Sequence, residues 1–219
     1  MKKIVLSVAG VVGVGLLGLC GFIAMQPASF SVERTATIAA RPDVAFALVQ
    51  DFHQWSRWSP WEKMDPTMAK TFDGAEAGVG AIYSWKGNDE VGTGKMTIES
   101  VTGPTNVAIK LEFLEPFAAT NSTVFAFAPE GQGTRVTWSM TGENDFMGKA
   151  MSLVMNMDTM VGGDFERGLA NLGTAATEDE AKKVAEEAAA ALKAAEEAAA
   201  AAALLADPNA VPVVAPAAH

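Results

Sequence analysis

The chain has 219 residues, with 26 acidic and 16 basic side chains that give a formal net charge of −10 at pH 7. This acidic balance, without any run of basic residues, argues against a nucleic acid as partner. One cysteine excludes a disulfide within the chain, and two histidines exclude a multi-histidine metal site. We therefore expect no metal and no cofactor.

The first 27 residues form a segment of their own. Lys2 and Lys3 precede an uncharged apolar run, residues 4–25, that would extend about 33 Å as a helix and cross a hydrocarbon core of about 30 Å. The run predicts a single-pass anchor in a bacterial-type cell membrane, and the lysines predict that the rest faces the periplasm or exterior. The alternatives are a cleaved signal peptide, which would give a secreted protein, and a lipoprotein signal at Cys20.

Residues 28–174 have the length of one domain with one core. A strand at 30–39 is followed by a short helix that begins near Pro42 and by a second short helix or irregular turn at 51–61. Alternating apolar residues and turn residues predict the remaining strands at 69–72, 80–86, 91–101, 106–114, 117–127 and 134–141.

A long helix is predicted over residues 145–174, where apolar residues recur at the spacing of one helix face. Asn144 or Asp145 caps its start. Five of the eleven methionines lie between Met147 and Met160, and this stripe serves either core filling or contact with a ligand of irregular shape. Gly162-Gly163 predicts a kink or a loosened turn, since each glycine costs a helix about 1 kcal/mol.

The order of these elements predicts an α+β fold. A curved antiparallel sheet of about six to seven strands wraps around the long C-terminal helix, with two short helices after the first strand. Residues 175–206, rich in alanine and glutamate, predict a solvated helical extension, and residues 207–219, with three prolines, predict a disordered tail.

Aromatic side chains are concentrated in one segment, which contains Trp55, Trp58 and Trp61. These rings either plug one end of the core or form the wall of an apolar cavity between sheet and helix. In the second case we expect a cavity lined by Trp55, Trp58, Trp61, Tyr83, Trp85, Met96, Phe113, Phe125, Trp138, Met151 and Met155. Tyr83, His53, Arg57 or Asn121 would supply polar orientation.

Groups suited to catalysis are few. His53 is the one histidine before the terminal His219, and it lies close in sequence to Asp51, Glu62 and Asp65. This cluster supplies a candidate acid or base, His53, but solvated loop charges and helix caps account for it more simply.

Several strings resemble the SRPBCC superfamily of START-like and Bet v 1-like helix-grip proteins, in its polyketide cyclase/dehydrase-like branch. They include Val32 to Phe46, the Trp-Ser-Arg-Trp-Ser-Pro-Trp segment that ends at Trp61, Gly78 to Trp85, Thr134 to Met140 and Asp164 to Leu172. The resemblance implies a helix-grip fold and the binding of a lipid, polyketide or other apolar molecule between sheet and helix. It carries no shared catalytic signature.

From these observations we expect a monomeric, membrane-anchored domain that binds a hydrophobic or amphipathic small molecule such as a lipid. The alternatives are a cyclase/dehydrase-type enzyme that acts on such a ligand and an envelope interaction protein with a filled core and no ligand.

Overall fold

A computed structural model describes the backbone of residues 2–206 and the side chains of residues 13–203. The helices are α1 (Lys2–Ala24), α2 (Pro42–Gln50), a 3₁₀ helix (Phe52–Arg57), α3 (Trp61–Met64), α4 (Phe146–Met151) and α5 (Met157–Ala206). The strands are β1 (Ser29–Ile38), β2 (Ala69–Gly74), β3 (Ala81–Lys86), β4 (Thr93–Thr102), β5 (Asn106–Glu115), β6 (Ala119–Glu130) and β7 (Gly133–Glu143).

The seven strands form one antiparallel sheet in the order β1-β7-β6-β5-β4-β3-β2. All neighbours except β1 and β7 are consecutive in the chain, so hairpins build most of the sheet. The predicted α+β helix-grip fold, with short helices after the first strand and a long C-terminal helix, is confirmed. The core lies between the inner face of the sheet and the helices, and Phe165, Leu169 and Leu172 of α5 are buried in it.

The Met-rich segment departs from the prediction of one helix. Asp145 caps α4, because its Oδ1 accepts a hydrogen bond from the Gly148 backbone at 2.7 Å. The helix stops after Met151, and α5 begins at Met157 with Asn156 Oδ1 accepting from the Asp158 backbone at 2.9 Å. The interruption therefore lies before the glycine pair, at a second capping residue.

The chain divides into two compact units, one that ends at Thr177 and one that begins at Glu178. In the second unit residues 178–206 are helical and the side chains of residues 184–203 are exposed, and Lys193 and Glu197 form an ion pair at the i,i+4 spacing. The predicted disordered tail, 207–219, lies outside the described residues.

The predicted membrane anchor is wrong. Among the described residues, no helix combines the length and the apolar character needed to cross a membrane. The single-pass localisation that rested on residues 4–25 is withdrawn with it.

Candidate functional site

The inner face of the sheet is a wall of aromatic rings centred on Trp138 of β7. The Trp138 indole stacks on Phe165 of α5 with ring centroids 4.1 Å apart and planes 6° from parallel. It also stacks on Phe125 of β6 at 4.7 Å. Trp58 and Trp61 meet it edge-on at 5.8 and 5.7 Å. Such ring pairs stabilise the fold by more than the burial of their apolar surface alone.

The tryptophan-rich segment is held by the end of α2. Trp55 Nε1 donates to the Val49 carbonyl and Trp58 Nε1 donates to the Leu48 carbonyl, both at 3.0 Å. The last carbonyls of a helix have no partner within the helix, so the two indoles satisfy them while their rings enter the core. The segment therefore closes the wall at one end.

Helix α5 approaches the wall most closely at Gly168. A β-carbon there would lie 2.7 Å from Cζ3 of Trp138 and 3.2 Å from Cδ of Pro60. Only a glycine leaves room for the indole against the helix backbone. This contact fixes the benzo edge of Trp138 against α5, and the pyrrole N–H lies at the opposite edge of the ring.

Two polar atoms of the inner face are buried without a hydrogen-bond partner. They are Oγ1 of Thr123 on β6 and Nε1 of Trp138 on β7. Thr123 is 4% exposed and Trp138 is 2% exposed, and both alternate inward with their neighbours along the strands. Asn121, the preceding inward residue of β6, is also buried.

A part-buried carboxylate of α3 contacts Tyr83 of β3 at the other end of the wall. Glu62, whose side chain is 10% exposed, accepts from Tyr83 Oη at 2.9 Å and pairs with Lys70 Nζ at 2.5 Å. Burial, helped by the hydrogen bond to Glu62, raises the pKa of Tyr83 well above its ordinary value. The phenol therefore stays protonated and acts as a donor.

An ion-pair cluster ties β1 to the first turns of α5. Arg34 donates from Nη1 and Nη2 to both carboxylate oxygens of Asp158, at 2.7 and 3.1 Å, and from Nε to Glu166 at 2.7 Å. These hydrogen bonds, Asp158 first, raise the pKa of Arg34 above its ordinary value, so the guanidinium stays charged. A β-carbon at Gly162 would collide with the guanidinium, so this glycine makes room for Arg34.

Next to this cluster, the segment between α4 and α5 exposes apolar side chains. Its exposed members, together with those of α4, are Phe146, Met147, Met151, Leu153, Val154 and Met155. The segment leads directly to Met157 and Val161 of α5, which pack against the core. The exposed apolar surface therefore adjoins the buried site at the start of α5.

A family model described as polyketide cyclase / dehydrase and lipid transport matches residues 29–177, more than half of the chain. The chain belongs to this family. No curated protein sequence matches it.

Three solved structures similar to this chain each give a TM-score of 0.50. Protein MLL2253 from Mesorhizobium loti is 14% identical over 68% of this chain and 98% of that one. The KanY protein is 19% identical over 68% and 98%. The di-domain ARO/CYC StfQ from the steffimycin biosynthetic pathway is 11% identical over 72% of this chain and 52% of that one. At these identities the likeness concerns the fold alone.

In this family member the residues predicted to line a cavity lie in three settings. Trp55, Trp58, Tyr83, Trp85, Met96, Phe125 and Trp138 are buried in the core. Trp61 and Phe113 are partly buried against it. Met151 and Met155 are exposed, on α4 and on the segment that follows it.

The polar residues that were predicted to orient a ligand also lie in different places. His53 is half exposed, with Nδ1 2.9 Å from Asp51 Oδ1 and its ring stacked on Phe72 at 4.3 Å, outside the aromatic wall. Arg57 Nη2 lies 3.4 Å from the Ala175 carbonyl. Tyr83 and Asn121 face inward. Among the described residues, no group of three or more histidine, cysteine, aspartate and glutamate side chains is arranged to hold a metal ion.

Sequence reasoning missed Thr123 as a site residue. Its signal was present, because Asn121, Thr123, Phe125 and Phe127 alternate along one predicted strand and must share a face. A polar side chain in an otherwise apolar inward row marks a candidate binding position. Gly168 and Phe165 were missed as well, since their contact with Trp138 joins elements far apart in sequence.

Proposed function

We propose that residues 29–177 bind a hydrophobic or amphipathic small molecule between the inner face of the sheet and α5. The observation that carries the proposal is the exposed apolar segment beside the buried aromatic wall. A protein that only needed a filled core would bury methionines such as Met155, which is 39% exposed. Unbranched methionine side chains adapt to a ligand of irregular shape as it enters. Family membership agrees with this function.

The test is binding by the full chain. Lauric acid and the aromatic quinone emodin serve as probes, with native mass spectrometry to count adducts and tryptophan fluorescence to give an affinity. We expect a 1:1 adduct with at least one probe and quenching of the fluorescence. If the protein binds neither probe and carries nothing from a lipid extract, this function is refuted.

The exposed segment is tested by Met155→Asp, which places a charge where the ligand is proposed to enter. We expect the affinity for the bound probe to fall by about tenfold or more, because desolvating a carboxylate opposes apolar contact. Leu192→Asp is the matched control, at a residue of the second unit that is 68% exposed. It should leave the affinity unchanged. Equal affinities for the two variants would remove the segment from the binding site.

A second candidate function, dehydration or cyclisation of such a ligand, is favoured by the part-buried hydrogen bond between Tyr83 and Glu62. Glu62 would take the proton from the carbon next to the ketone, the hydroxyl would leave as water with the phenolic proton of Tyr83, and Glu62 would return its proton to Tyr83 across their 2.9 Å contact. This pair is better placed than His53, which lies outside the wall.

A panel of aromatic β-hydroxy ketones tests the reaction, with the enone product followed by absorbance. We expect the wild-type protein to accelerate enone formation, Glu62→Gln to reduce the rate by about 100-fold and His53→Ala to leave it unchanged. If the rate with the wild-type protein equals the uncatalysed rate for every compound in the panel, this catalytic function is ruled out.

A further inference from the structure

Four other buried side-chain donors show what the fold ordinarily does with buried polar groups. Trp55, Trp58 and Trp85 each donate their indole N–H to a backbone carbonyl at 3.0 Å. Thr134, which is 0% exposed, donates its hydroxyl to the Ala40 carbonyl at 2.7 Å. Buried tryptophan and threonine side chains are thus satisfied elsewhere in this core. By contrast, Thr123 Oγ1 and Trp138 Nε1 have no hydrogen-bond partner among the described residues.

The two unpartnered atoms belong to neighbouring positions on one face of the sheet. Thr123 of β6 lies opposite Met140 of β7, and Phe125 lies opposite Trp138, so Thr123 and Trp138 are diagonal neighbours. Diagonal positions are about 7–8 Å apart between Cα atoms, within reach of long side chains. One group of a bound molecule placed between them can meet both.

The surroundings of the pair are apolar and adaptable. Thr123 lies between Ile109 of β5 and Met140 of β7, and neither side chain offers a hydrogen-bond partner. Leaving a buried polar group unsatisfied is unfavourable, because the group gives up its hydrogen bonds to water, and proteins rarely accept this without a function. Met140 and nearby Met96 and Met157 are unbranched, so they can move aside for an incoming group.

We infer that the ligand of the proposed site presents a carbonyl-type acceptor oxygen at its buried end, which receives hydrogen bonds from Thr123 Oγ1 and Trp138 Nε1. The indole N–H is only a donor, so the ligand atom must be an acceptor. A ketone or quinone oxygen has two lone pairs and accepts both bonds. The ligand class is therefore an apolar molecule that carries a carbonyl oxygen, such as a ketone, as opposed to a plain hydrocarbon. The inference rests on the proposed function and narrows it.

Fluorene and 9-fluorenone form a matched probe pair, because both are rigid tricyclic molecules and only the second carries a carbonyl. Both are offered together to the full-length protein, and native mass spectrometry reports the ratio of the two adducts. We expect the wild type to favour fluorenone, Thr123→Val to reduce that preference about fivefold, and Thr123→Ser, which keeps the hydroxyl, to preserve it.

A stability measurement gives a second, ligand-free readout. Valine replaces threonine at nearly equal volume, so Thr123→Val removes an unsatisfied hydroxyl and is expected to raise the thermal midpoint or leave it unchanged. Thr134→Val breaks the hydrogen bond to Ala40 and is expected to lower the midpoint. A role in packing alone would make the two variants behave alike.

The possible failures are distinguishable. If the wild type binds both probes equally, or if Thr123→Val keeps the full preference, the inference is overturned while the proposed function stands. If Thr123→Val lowers the midpoint as Thr134→Val does, the hydroxyl has a partner in the free protein and the inference is again overturned. If the wild type binds neither these probes nor lauric acid or emodin, the proposed function fails first and the inference falls with it.

Discussion

Replacing Trp138 by alanine is expected to lower the free energy of unfolding of the full-length chain by about 3–5 kcal/mol. The indole is 2% exposed and is stacked on Phe125 and Phe165, which belong to the sheet and to α5. Its removal leaves a cavity that these rings cannot close, because each is held by its own strand or helix. Urea denaturation followed by circular dichroism measures the loss.

Two control variants test whether the loss of stability comes from the stacking of Trp138 on Phe125 and Phe165. Phe117→Ala truncates an aromatic ring that is 75% exposed and should change the unfolding free energy by less than about 0.5 kcal/mol. Trp138→Phe keeps one ring between Phe125 and Phe165 and should cost markedly less than alanine. A loss with Trp138→Ala that is no larger than the loss with Phe117→Ala would mean that this stack does not join the sheet to α5.

The fold could be predicted from the sequence because the patterns that indicate its helices and strands are local. Alternation along the strands at 106–114 and 134–141 predicted an inward face that the structure confirms, with Val107, Ile109, Val136 and Trp138 buried. Asp145 was recognisable as a helix cap from its position before the periodic run. Each of these signals depends on residues only a few positions apart.

The interruption between α4 and α5 was missed because the apolar spacing continues across it. Met151, Val154 and Val161 keep a helical period although the backbone leaves the helix after Met151. The overlooked signal was Asn156, whose side chain caps α5. Periodicity reports which residues are apolar, and a cap reports where the backbone changes, so the two signals have to be weighed together.

Features that depend on contacts between residues far apart in the sequence could not be predicted from it. Gly162 suggested a kink, but in the structure it accommodates Arg34 from β1, and no local rule identifies that partner. The lack of a partner for Thr123 Oγ1 is likewise a property of the whole core. The apolar run at 4–25 was long enough to predict a membrane span, a prediction that the described helices contradict. The inward placement of the aromatic side chains was therefore predictable from the sequence, whereas the hydrogen bonds that each buried polar side chain makes or lacks were not.

The second large effect is expected from Gly168→Ala. The new β-carbon would lie 2.7 Å from Cζ3 of Trp138 and 3.2 Å from Cδ of Pro60, and neither rigid ring can yield. Overpacking of this kind costs about 1–3 kcal/mol, which exceeds the gain of about 1 kcal/mol from replacing a helical glycine by alanine. We expect lower stability, measured by urea denaturation.

Gly163→Ala is the matched control for this prediction, because it lies in the same helix and its β-carbon would meet only Nη1 of Arg167, at 3.6 Å. That is ordinary contact, so the helix gains about 1 kcal/mol and the variant should be more stable than the wild type. Combining Gly168→Ala with Trp138→Phe removes the benzo edge that collides with the new methyl group, so the two costs should sum to more than the cost of the double variant. Additive costs would show that Gly168 and Trp138 act independently, and the close approach of α5 to the aromatic wall would then need another cause.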